Sequence, residues 1–97
     1  MTIAEFQKKI EQIYLERDSR RGLPGTFMWF VEEVGELSTA LMGNDRSEME
    51  GEFADVFAWL VSLASIAGVD MTAAVQKYAD GCPSCHGTPC RCSDKSM

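Results

Sequence analysis

EEVGELSTALMGNDRSEMEGEFADVFAWLVSLASIAG, residues 32–68, decides the fold class. It reads as the end of one helix, a tight turn and a second helix: Gly43 and Asn44 stop the first, and two overlapping capping boxes, Asp45 with Glu48 and Ser47 with Glu50, open the next. On the first of these helices Glu32, Glu33 and Glu36 fall within about 100° of one another at the 100° per residue of an α-helix. Phe30, Val34, Leu37 and Leu41 cluster on the opposite side. On the second, Glu52 and Asp55 lie along the line of Val56, Trp59, Leu63 and Ile66, while Phe53, Phe57, Leu60, Val61 and Ala64 fill much of the remaining circumference. That helix is therefore expected to be buried nearly all round and to run to about Ala67, where Gly68 stops it.

Working outward, Ile3, Phe6, Ile10 and Ile13 form the stripe of an amphipathic helix ending near Arg17, with Glu11 and Gln12 on its wet side. DSRRGLPGT, residues 18–26, reads as a loop shaped by Gly22, Pro24 and Gly25, with Thr26 as N-cap of the helix that follows. Asp70 or Thr72 can cap a short last helix ending at Gly81. No stretch alternates with period two for long enough to be a strand. The expected class is all-α, a bundle of about four helices built on a helical hairpin, over residues 1–81. Residues 82–97 form a Cys-rich tail.

Composition narrows the function. A chain of 97 residues buries only about 60–65% of the surface its unfolded form exposes, so a metal, a partner subunit or both would stabilise it. MTIAEFQKKIEQIY mixes charged and apolar residues and lacks the apolar core of a signal peptide, and the longest charge-free run, Val56 to Val69, is shorter than the ~20 residues of a membrane-spanning helix. A cytoplasmic protein with no membrane partner is expected. The net charge of −6 argues against a nucleic-acid polymer as partner, although clustered acids holding a divalent cation can still attract phosphates.

Glu52 and Asp55, heading a buried stripe, have no Lys or Arg three or four residues away on the same helix. A desolvated, unpaired carboxylate costs several kcal/mol, so a cation must come from elsewhere. A hard divalent ion suits the oxygen donors, and Mg²⁺ characteristically shares its shell with substrate phosphates.

EEVGE at 32–36, fifteen residues, then EFAD at 52–55, resembles the E-x-x-E…E-x-x-D signature of the MazG-like nucleotide pyrophosphohydrolases, and the resemblance extends from about Ile3 to Tyr78. It implies membership of an all-α superfamily, which includes dimeric dUTPases, dCTPases and phosphoribosyl-ATP pyrophosphohydrolases, that cleaves nucleoside triphosphates to monophosphate and pyrophosphate. By that resemblance Glu33, Glu36, Glu52 and Asp55 coordinate Mg²⁺, with Mn²⁺ an alternative, and Glu32 orients or deprotonates the attacking water. Trp29, on the angular sector of Glu36, is assigned to substrate; stacking on a nucleobase and packing against a partner subunit or the first helix both fit its place. Trp59 is expected in the core. Lys77 corresponds loosely to basic residues that the family places downstream, and Arg20 and Arg21 lie where a loop could close over a ligand. A homodimer or homotetramer is expected, because the second helix of the hairpin carries more apolar circumference than one hairpin covers.

Cys82, Cys85, Cys90 and Cys92 make C-x₂-C-x₄-C-x-C within eleven residues, a ligand set suited to tetrahedral Zn²⁺, with His86 able to replace one sulfur. Structural zinc is the expectation; disulfides or a redox role and free thiols remain open. The function alternative to catalysis is a helical interaction module whose zinc tail binds a protein. A sugar hydrolase using two of the acids fits less well, since four clustered carboxylates suit a metal better than a spaced pair.

Overall fold

Thr2 starts the first helix with a reciprocal cap: its Oγ1 accepts the Glu5 amide at 3.1 Å, and Glu5 Oε1 accepts the Thr2 amide at 2.8 Å. The computed structural model describes residues 1–93, so residues 94–97 of the expected tail lie outside it. The described residues form α1 (Ile3–Leu41), α2 (Arg46–Ile66) and α3 (Met71–Ala74), followed by a 3₁₀ turn, Val75–Tyr78, and contain no strand. The class is all-α, as expected.

The helix count differs, for two local reasons. The two helices expected before residue 43 are one element, because the presumed loop is helical on both sides of Gly22, which alone breaks the pattern with φ 82° and ψ 172°. The missing N–H of Pro24 falls in the first turn after that kink, where no intrahelical bond is lost. Thr26 is therefore not a cap but a helical residue with no exposed surface. The expected last helix is a single turn, capped by Asp70 Oδ1 on the Thr72 amide at 2.9 Å, that tightens into the 3₁₀ turn. Since the backbone of Gly22 lies in a region that side-chain-bearing residues almost never occupy, Gly22→Ala should cost about 1–3 kcal/mol of stability. Urea unfolding measures this, and an unshifted midpoint would show that the kink is dispensable.

Residues 42–45 join α1 to α2 as a helical hairpin, with Asp45 Oδ1 accepting the Glu48 amide at 3.2 Å at the start of α2. Gln7, buried in the first arm of α1, ties that arm to the far end of α2: its Nε2 donates to Val69 O at 2.9 Å and to Ser65 Oγ at 3.2 Å, and its Oε1 accepts the Met71 amide at 2.8 Å. Glu11 joins by accepting from Ser65 Oγ at 2.9 Å, so it faces the packed side rather than solvent. Ile10 is buried, whereas Ile13 is exposed. Phe6 stacks on Phe57 with ring centres 5.2 Å apart.

In the second arm of α1 the packed positions are Thr26, Phe30, Glu33, Leu37 and Ala40. This face is rotated from the one expected: Glu33 sits in it, and Val34 and Leu41 are exposed. On α2, Val61, Ser62 and Ala64 are buried, but Phe53, Phe57 and Leu60 are not, so one chain alone does not cover that helix.

Candidate functional site

Rotation of the second arm brings its acidic residues against α2. Glu33 and Glu36, one turn apart on α1, and Glu52, in the first half of α2, place carboxylate oxygens within 4.8 Å of one another. One oxygen of Glu33 and one of Glu52 are buried without a hydrogen-bond partner among the described residues. Burial raises the pKa of Glu33, and the charges of Glu36, Asp55 and Glu52 raise it further. Glu52 is raised for the same reasons, burial first, then Glu36, Asp55 and Glu48. Orphaned, desolvated carboxylate oxygens facing like charges are what a hard divalent cation would relieve, so the donor set fits such an ion.

Asp55 stands apart from that trio. It is exposed, close enough to perturb Glu33 and Glu52, and lines a cavity of about 170 Å³ together with Tyr14, Arg17, Asp18, Arg21 and Trp59. The cavity is built by the first arm of α1 against α2. Asp18 is buried and bonds Arg21 Nη1 at 3.0 Å, fixing that guanidinium 5.0 Å from the centre of the Trp59 ring. Gly25 leaves room for this, since a Cβ there would lie 2.7 Å from Arg21 Cγ. Trp29 stacks on Trp59 with centroids 6.2 Å apart and planes 12° from parallel. Trp59 is thus a half-buried wall of the cavity rather than a core residue.

The remaining expected site residues are elsewhere. Glu32 is exposed and outside the carboxylate trio, and Arg20 is exposed and does not line the cavity. Lys77 lies in the 3₁₀ turn, its Nζ 5.9 Å from the centre of the Tyr78 ring. Sequence reasoning missed Tyr14, Arg17 and Asp18. Their signal was present: with Arg21 they recur at i, i+3, i+4 and i+7, one face of a helix, but that face vanishes when the helix is ended at Arg17.

In the tail, Cys82, Cys85, Cys90 and Cys92 bring their sulfurs within 4.8 Å of one another and could hold a metal ion. The amides of Arg91 and Gly87 pull the Cys85 thiol down to about 6, while neighbouring sulfurs, Cys90 first, push Cys92 up to about 12.

Residues 24–86 match the model of the MazG nucleotide pyrophosphohydrolase domain. The chain belongs to this family. It is also 38% identical over 77 residues, 77% of this chain and 68% of the relative, to a dATP/dGTP diphosphohydrolase of Cyanophage S-2L. As a MazG-family protein it is a nucleotide pyrophosphohydrolase, and the matched span contains all three clustered glutamates together with Asp55. The first arm of α1, which supplies Tyr14, Arg17, Asp18 and Arg21, precedes that span. Among the described residues no single helix is long and apolar enough to cross a membrane.

The raised carboxyls give the site a pH signature. In the metal-free fold Glu33 and Glu52 keep protons at pH values where the unfolded chain has lost them, so their contribution to stability is full below the ordinary carboxylate pKa and is lost as pH rises through the raised values. Metal-free protein should therefore gain melting temperature on going from about pH 7.5 to about pH 5, and the gain should shrink in Glu33→Gln/Glu52→Gln. Differential scanning calorimetry of both proteins is the check; equal gains would mean the pair is not responsible.

Proposed function

We propose that this chain is a Mg²⁺-dependent nucleoside triphosphate pyrophosphohydrolase, with Mn²⁺ able to replace Mg²⁺, that converts an NTP or dNTP to its monophosphate and pyrophosphate. The observation that carries the reading is the convergence of Glu33, Glu36 and Glu52, two of them with orphaned buried oxygens, beside a cavity walled by Arg21 and Trp59. In this reading Glu33, Glu36, Glu52 and Asp55 hold the ion, and residues 1–81 are the catalytic domain. The relative's named substrates make dATP and dGTP the first to try.

A divalent ion supplies Lewis-acid neutralisation of phosphate charge and acidifies water. The chain's own residues do the rest. Arg21, held by buried Asp18, and Arg17 present positive charge to the phosphates, which the net charge of −6 would otherwise repel. The Trp29 and Trp59 rings offer flat apolar faces to the base and exclude water around it. Glu32 takes the proton of the attacking water. Arg20 and Lys77 lie off the cavity and contribute only if a second subunit or a bound nucleotide brings them to it.

A homodimer or homotetramer completes the fold. Phe27, Val31, Val34 and Leu41 recur along one side of α1 and Phe53, Phe57 and Leu60 along α2, all at least 39% exposed. Phe27 and Leu60 line one apolar groove, so the two stripes belong to one face of the hairpin. A cytoplasmic location suits the substrate.

Purified protein incubated separately with each NTP and dNTP should yield monophosphate and pyrophosphate in equal amounts with Mg²⁺ or Mn²⁺, and nothing with chelator. Orthophosphate as the only inorganic product would overturn the bond assignment. No turnover of any nucleotide would favour the interaction module.

A further inference from the structure

The segment after Tyr78 holds a second cluster that the nucleotide chemistry does not use. From Ala79 to Ser93 the chain has no helix or strand, yet it is wound tightly. Gly81 has φ 104°, and a Cβ there would lie 2.7 Å from Thr88 Oγ1 and 2.9 Å from Gly87 O. A Cβ on Gly87 would lie 2.8 Å from Pro89 O and 3.3 Å from Cys85 Sγ. Inside the loop the Cys82 amide donates to Gly87 O at 3.0 Å and the His86 amide to Cys82 O at 2.7 Å. None of the described residues from Ala79 to Ser93 is buried, so no apolar core accounts for the winding.

What the winding achieves is the meeting of four sulfurs. Cys82 Sγ and Cys92 Sγ are 3.7 Å apart, and Cys85 Sγ and Cys90 Sγ are 4.0 Å apart. A tetrahedron of thiolates, each about 2.3 Å from zinc, has edges of about 3.8 Å. Thiols are weak donors and weak acceptors, so hydrogen bonding alone gives little reason for four of them to assemble. The loop also aims backbone donors at the sulfurs. The amides of Arg91 and Gly87 reach Cys85 Sγ at 3.3 and 3.4 Å, and the amide of Cys92 reaches Cys90 Sγ at 3.3 Å. Such bonds favour thiolate over thiol and orient metal ligands from behind.

We propose that Cys82, Cys85, Cys90 and Cys92 form an all-thiolate zinc site, without His86, and that the zinc is what folds residues 82–92. Donor softness separates this ion from the one assigned to the carboxylates: thiolates select zinc, whereas oxygen donors select magnesium or manganese. The two centres share no residue. Metal binding supplies the folding free energy that a loop with no buried residue lacks, since the ligand set does not exist preformed in the unfolded chain. The site is independent of whether the protein hydrolyses nucleotides.

Full-length protein isolated under reducing conditions without added zinc should contain one zinc per chain by elemental mass spectrometry. Exchange for cobalt should produce intense sulfur-to-cobalt charge-transfer absorption. The Cys85→Ser/Cys90→Ser double variant should lose the metal almost completely. Removing zinc should abolish hydrogen-exchange protection of the Gly87, Arg91 and Cys92 amides and leave that of α2 unchanged. The proposal is overturned by a metal-free protein with four freely titratable thiols, by disulfides among them, by cobalt spectra without thiolate bands, by zinc retained in the double variant, or by protection that survives zinc removal.

Discussion

Glu36→Gln is expected to slow pyrophosphate release at least about 100-fold, equivalent to about 2.7 kcal/mol of lost transition-state stabilisation, with far-ultraviolet circular dichroism unchanged. The substitution keeps the size of the side chain and removes one negative charge from a trio whose oxygens lie within 4.8 Å of one another. Two consequences then separate cleanly. The metal-free fold gains stability, because Glu36 raises the pKa of both Glu33 and Glu52 and its neutralisation relieves them. Affinity for the divalent ion falls, because an amide oxygen is a poorer ligand than a carboxylate for a hard cation. Asp55→Asn should also lower the rate about 100-fold if that residue holds the ion as proposed. Its exposed position beside Arg21 adds a sharper expectation: a larger rise in nucleotide KM than Glu36→Gln produces. Steady-state kinetics at limiting and saturating Mg²⁺ distinguishes the two, and normal turnover by Glu36→Gln at limiting Mg²⁺ would remove that residue from the metal.

If the chain is the homo-oligomer proposed above, Phe53→Asp should reduce it to a monomer of 10.8 kDa. Phe53 is 54% exposed on the α2 stripe that continues through Phe57 to Leu60, and among the described residues it makes no ring stack, unlike Phe57. Stable interfaces take roughly 800 Å² from each partner, with an apolar centre that tolerates no unpaired charge. Two such faces related by a twofold axis cover one another, and a carboxylate in each would lie against its own symmetry mate or against apolar surface. Multi-angle light scattering at micromolar concentration reads the mass directly. A wild-type protein that is monomeric and fully active would contradict both the covered face and any contribution from a neighbouring subunit.

The all-α class and the hairpin were legible because they rest on periodicity and capping, which are local: Asp45 caps α2 and Gly68 follows its end, as the sequence indicates. The acidic motif was legible for the same reason, since two residues three apart on a helix must share a side. The rotation of the second arm was not. Phe30, Val34, Leu37 and Leu41 make a better apolar stripe than Thr26, Phe30, Glu33, Leu37 and Ala40, and only packing against a particular neighbour draws Glu33 inward. The cavity wall is hidden by reading the stretch 18–26 as a loop. Gly22, Pro24 and Gly25 look like a loop, and a break confined to Gly22 leaves Asp18 and Arg21 helical and facing α2. Its place on a buried line predicts a core position for Trp59, whereas its ring extends toward Trp29 and Arg21. The four cysteines were legible as a metal-binding pattern, but exclusion of His86 from the ligand set needed the sulfur positions.

In the proposed site Glu33, Glu36 and Glu52 jointly hold the divalent ion on which turnover depends. Electron paramagnetic resonance of free Mn²⁺ titrated into nucleotide-free protein tests it most directly, alongside pyrophosphate release at the same Mn²⁺ concentrations. Binding and activity should rise together in the wild type and both be lost in Glu33→Gln/Glu52→Gln. Activity that persists in chelator, or Mn²⁺ binding that is unchanged in the double variant, would contradict it.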